Sequence, residues 1–145
     1  MKFGFILLSI LFFLFTGCKK DELDLDSNTY FGIKAILNSE NCNADCEETA
    51  NCEGKMIKVK GFLDENNINA SEHQFYLIDE KKDKYILEVK VDETVSSDVF
   101  QKLNGQGGQV FLVEGLMEGY DAPTNINCKR QFILRLDDAF MVNKE

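Results

Sequence analysis

Apolar residues are distributed along this chain in three ways. From Phe5 to Phe15 they form an almost unbroken block, Phe-Ile-Leu-Leu-Ser-Ile-Leu-Phe-Phe-Leu-Phe. From Met56 onward they mostly alternate with polar residues, and over Val95–Leu103 they recur at helical spacing. Alternation at period two puts successive side chains on opposite faces and predicts strands. The first runs through Met56–Leu63 and bends at Gly61. The polar stretch Asp64–Ser71, with Asn66 and Asn67 adjacent, predicts a loop, and His73–Asp79 a second strand. Residues Glu80–Asp83 turn the chain into a third strand, Tyr85–Val91, completing a hairpin. Val95–Leu103 then predicts one short helix closed by Asn104-Gly105. After Gly107-Gly108 come strands at Val110–Met117 and Phe132–Leu136, separated by a polar loop that holds the only proline, Pro123.

The N-terminal block needs a different explanation. It is eleven residues long, about 16 Å as a helix, too short for the ~30 Å hydrocarbon layer of a bilayer. Preceded by Lys2 and followed by the small pair Thr16-Gly17, it reads as an export signal. Thr16-Gly17-Cys18 closing such a run resembles the lipobox of bacterial lipoproteins; its one departure is Phe15, where an aliphatic residue is usual. The resemblance implies cleavage before Cys18, diacylglycerol on its thiol and a further acyl chain, such as palmitate, on its amine. The protein is therefore expected at the outer membrane, on its periplasmic face or at the cell surface, held by acyl chains. Residues 1–17 are then the signal peptide and 18–30 the lipidated Cys18 with a flexible, charge-dense tether that holds the domain off the bilayer. Lys20-Asp21-Glu22 also resembles the short Lys-plus-acidic signal that sends some lipoproteins to the cell surface.

Residues 31–53 form a Cys-bearing segment, and residues 54–145 carry the strands. Three strands, a helix, then two strands, with glycines in the first and fourth where a small barrel turns its corners, is the order of an OB-fold. The expected class is all-β, a five-stranded OB-fold-like barrel with one short helix between strands three and four. From Gly54 to Val142 the pattern Val59-Lys60-Gly61, Phe-Tyr-Leu-Ile-Asp and Val-Glu-Gly resembles the OB-fold lipoproteins grouped near the tRNA-anticodon-binding-like domains.

Besides Cys18 there are Cys42, Cys46, Cys52 and Cys128. In an exported chain an even count points to disulfides. The fold brings all four to one end of the barrel, and the preferred pairing joins Cys52 to Cys128 and Cys42 to Cys46. A four-thiolate metal site is the rival, but only Cys42 and Cys46 have the spacing of a zinc knuckle. A redox pair would favour two intervening residues and a nearby base. No cofactor or metal is expected.

Composition narrows the function. The net charge is -9 with pI near 4.6, and removing residues 1–17 takes away Lys2 and no acid, leaving -10. This disfavours a nucleic-acid binder, which needs a basic stripe. His73 is the only histidine, and the carboxylate pairs Asp79-Glu80 and Asp137-Asp138 fall at strand ends. The expectation is a non-enzymatic, monomeric binding module for an envelope protein, peptide or small ligand. Alternatives are a single-stranded nucleic-acid binder and a Cys-cluster metal or redox protein. Candidate ligand contacts are Tyr76 and Tyr85 on strands two and three, with Asp121 and Asn125 in the loop between strands four and five.

Overall fold

The computed structural model describes residues 20–80, 85–122 and 128–145. The export segment, Cys18, Pro123 and Asn125 lie outside the described residues. In chain order the elements are β1 (Phe31–Gly32), α1 (Ile33–Leu37), β2 (Met56–Asn69), β3 (Gln74–Ile78), β4 (Ile86–Val91), α2 (Glu93–Leu103), β5 (Val110–Asp121), β6 (Arg130–Leu136) and β7 (Val142–Lys144). They form a mostly β fold around one mixed seven-stranded sheet. The eleven-residue α2 is the only helix of more than two turns among the described residues.

Pairing runs β2–β3–β4–β6–β5 and returns to β2, so five strands close a ring. The β4–β6 pair is parallel, and the other four contacts of the ring are antiparallel. The long strand β2 makes closure possible. Its first half pairs with β5, from Met56 opposite Leu116 to Phe62 opposite Val110, and its second half pairs with β3. The predicted loop at Asp64–Ser71 is mostly strand instead. A register shift between Leu63 and Ile68 absorbs the polar residues without ending the pairing, which resumes at Ile68 opposite Phe75. The chain then turns through a 3₁₀ segment at Ala70–Glu72, and His73 closes it in the left-handed conformation at φ 54°.

Helix α2 begins two residues earlier than predicted, because the Asp92 carboxylate caps the Thr94 amide at 2.9 Å. Gly105, at φ 68°, follows its end as expected. Gly61 is needed for close approach: a Cβ there would lie 2.6 Å from Cδ1 of Ile33 and 3.2 Å from Cβ of Leu77. Helix α1 is thus seated directly on β2. Inside the ring lie Ile57, Val59, Leu63, Phe75, Leu77, Leu87, Val89, Val113, Met117 and Leu134, with α2 contributing Val99 and Leu103.

The segment before β2 departs most from expectation. Residues read as a tether belong to the domain: Leu25 is only 6% exposed and sits in the core cluster, and the Leu23 amide donates to Asn41 Oδ1 at 2.7 Å. In the Cys-bearing segment, Phe31 and Gly32 pair in parallel with Val59 and Lys60, while Ile33 and Ile36 are fully buried. Leucines at alternate positions in a charge-dense stretch carry this signal weakly, since their burial depends on partners far along the chain.

Candidate binding face

Because β-strands alternate, burying Phe75, Leu77, Leu87 and Val89 turns Tyr76, Ile78, Ile86 and Glu88 outward. Register lines these up across four strands. Tyr76 opposes Glu88, Glu88 opposes Ile133, and Ile133 opposes Glu118. Ile78 opposes Ile86, which is 48% exposed, and Tyr120, 43% exposed, opposes Gln131. The resulting surface mixes aromatic and branched side chains with two carboxylates, and Ile133, only 8% exposed, lies between Glu88 and Glu118. Each carboxylate has a cation beside it: Lys90 lies 3.7 Å from Glu88, and Arg135 grips Glu118 with two bonds of 2.7 and 2.9 Å.

The Tyr76 phenol is pushed above its usual pKa, first by burial and then by Glu88, Tyr120 and Glu72. It therefore stays neutral and keeps its hydroxyl as donor and acceptor. Its contact with Gln74 Nε2 is long, 3.4 Å. The face can supply apolar contact, aromatic edges and a few hydrogen bonds, the usual contents of a recognition surface.

Of the other sequence-predicted contacts, the described residues Tyr85 and Asp121 do not lie on it. Tyr85 has the opposite parity to Ile86; its hydroxyl accepts from Asn38 Nδ2 at 3.0 Å, and Lys34 Nζ lies 5.6 Å from its ring centroid. It fastens the N-terminal segment to β4. Asp121 ends β5, where it accepts from Arg130 Nη1 at 2.9 Å and from the Glu47 amide at 3.2 Å. His73, expected to begin the second strand, closes the 3₁₀ turn ahead of β3 instead, and its Nδ1 is 2.8 Å from Oγ of Ser96, which is 6% exposed, tying that turn to α2. Tyr120, Ile133, Glu88 and Glu118 escape sequence reading for a simple reason. Tyr120 lies three residues past the predicted end of its strand, and the others gain meaning only from cross-strand register.

The cysteines form two disulfides, Cys42–Cys52 and Cys46–Cys128. They gather at one end of the ring as expected, but the pairing Cys52–Cys128 with Cys42–Cys46 is corrected. Backbone contacts decide it. The Cys46 amide donates to the Cys128 carbonyl at 2.9 Å next to an Asp45–Lys129 bridge, and the Cys52 amide donates to the Asn41 carbonyl at 2.8 Å. With all four sulfurs bonded in pairs, a four-thiolate site has no free ligands. Among the described residues no group of three or more His, Cys, Asp or Glu side chains is arranged to hold a metal ion.

Beside the disulfides, Arg130 binds both Glu53 oxygens, at 2.7 and 2.8 Å, together with Asp121. The carboxylate fits because residue 119 is glycine: a Cβ there would lie 2.4 Å from Glu53 Cδ. Hydrogen bonds from Arg130 dominate, outweighing burial, and hold the Glu53 pKa below its ordinary 4.5. A carboxylate depressed in the folded state adds stability that is fully present above its unfolded pKa and lost as pH falls through the folded one. Glu53→Gln should therefore melt below wild type at pH 7, and the gap should shrink once pH drops below about 4.5. Melting curves from pH 7 to 3 check this, and a gap that stays constant would contradict it.

No protein-family model matches the chain, and no curated protein matches it either. Fold and site define a mostly β domain with an exposed aromatic and carboxylate face. Among the described residues no helix is long and apolar enough to cross a membrane.

Proposed function

We propose that this is an exported, lipid-anchored binding module: acyl chains on Cys18 hold it at the outer membrane, and an OB-fold-like barrel recognises an envelope protein, peptide or small ligand without catalysis. The OB reading is supported by the closed circuit β2–β3–β4–β6–β5, its parallel β4–β6 pair and the helix between its third and fourth strands. The recognition reading is carried by one observation, the outward face that sets Tyr76, Ile86 and Tyr120 beside the carboxylates Glu88 and Glu118. Tyr76 and Ile133 have the carboxylates Glu88 and Glu118 as cross-strand neighbours, which fits a protein or peptide partner better than a polyphosphate backbone.

The test is a double substitution, Tyr76→Ala with Tyr120→Ala. Truncating aromatic anchors at the centre of an interface costs about 2 kcal/mol or more, roughly thirtyfold in affinity. Both rings are partly exposed, so the melting temperature should hardly change. Chemical cross-linking on intact cells, compared between wild type and variant, provides the readout. Equal cross-linked products from both chains would reject this face.

A further inference from the structure

The chain joins the domain almost as soon as it leaves Cys18. The Asp21 carbonyl accepts from the Glu40 amide at 3.1 Å, and the Leu23 amide donates to Oδ1 of Asn41, a residue only 6% exposed. Leu25, two residues on, is in the core. Three residue steps separate Cys18 from Asp21, about 11 Å when fully extended. A domain of this size has a radius of gyration of about 14 Å and is therefore roughly 35 Å across. The headgroup layer on each side of a bilayer takes about 5–7 Å. The leash is thus too short to lift the domain off the surface or to let it turn over.

The leash meets one particular end of the ring. Asp21 shares a surface hollow with Gly32, Lys34 and Ala35 of the β1–α1 segment. Lys20 shares another with Tyr85 and Ile86, at the start of β4. This is the end where β3 stops and β4 and β6 begin. The opposite end carries α2 and Phe140, which is 83% exposed.

Resting on the reading of Cys18 as the lipid anchor, we propose that the α1 end, with Lys20, Lys34 and Ala35, is a docking surface for bilayer headgroups. Strands β3–β6 then rise from the membrane, and the binding face stands upright beside it. Orientation comes from the covalent leash and not from charge, because Lys20 and Lys34 stand among Asp21 and Asp79. From Ile86 to Lys90 the face climbs only about 14 Å. A partner on this face is consequently engaged close to the bilayer.

The sequence contains no tryptophan, which permits a direct test. Ala35→Trp, on the exposed side of α1, and Phe140→Trp, at the far end, are each made in the full chain, purified with its lipid and placed in vesicles carrying spin-labelled headgroups. Emission at position 35 should be mostly lost, while emission at position 140 should match that in unlabelled vesicles. Inserting about 20 Gly/Ser residues between Lys20 and Asp21, a flexible spacer of about 25 Å, should remove the difference. Equal quenching at both positions, or a difference that survives the spacer, overturns the orientation while leaving the anchor intact. Intact mass is read on the same samples, and an unmodified Cys18 would overturn the anchor and the orientation together.

Discussion

Replacing Cys46 and Cys128 together by serine is expected to cost about 4 kcal/mol, because the bond joins residues 82 apart in sequence. On the chain-entropy relation, a loop of that length limits the unfolded ensemble far more than the ten-residue separation of Cys42 and Cys52, for which about 3 kcal/mol is expected. Serine suits the longer link because Cys128 is exposed and Cys46 half-buried. Cys42 and Cys52 are in the core, at 4% and 0% exposure, so alanine suits that pair. Denaturant titration under oxidising conditions distinguishes the mechanism. Loss of the long link should lower the midpoint and also raise the denaturant slope, since the released unfolded chain exposes more surface. An unchanged midpoint would mean that the contacts around Cys128 hold this end of the ring without the bond.

Phe75→Ala is expected to cost about 3–5 kcal/mol, the usual loss on truncating a buried phenylalanine. The ring is fully buried on β3 and packs edge-on against Phe100 of α2, with centroids 6.3 Å apart and planes at 89°. Its removal leaves a cavity and cuts a main contact between helix and sheet. For a domain whose total stability is about 5–15 kcal/mol, that brings unfolding near working temperatures. The adjacent Tyr76→Ala provides the control, since its side chain lies on the other face and should leave the midpoint nearly unchanged. Thermal and denaturant melts of the two variants side by side check the assigned parity. A large loss for Tyr76→Ala and a small one for Phe75→Ala would invert the assignment of faces.

The strands that were readable share a property: each satisfies its pattern locally. Ile57-Lys58-Val59-Lys60 alternates so regularly that its faces follow without knowing any partner, whereas Phe75-Tyr76-Leu77-Ile78 is apolar throughout and marks a strand without marking its faces. The errors fall where a neighbour decides. Asp64–Asn67 has turn chemistry, yet pairing resumes past it at Ile68. Phe31-Gly32 is too short to be recognised as a strand and exists only because β2 offers an edge to it. Residue type marks Tyr85 and Asp121 as contacts, and the fold supplies their partners within the chain, Asn38 and Arg130. The disulfides follow the same division. Their end of the ring followed from strand order, and their pairing came from two backbone hydrogen bonds.

The sequence by itself determined the mostly β class, the position of α2 and, through strand order, the gathering of four cysteines at one end, because period, caps and strand order are local or nearly local properties. Tertiary structure alone decided three things: that residues 21–41 pack against the domain and bury Leu25, Ile33 and Ile36, which cysteine meets which, and that Tyr76, Ile133 and Tyr120 share one face. Each depends on contacts between residues dozens of positions apart, set by register and burial, and neither quantity is written in any single stretch of the chain.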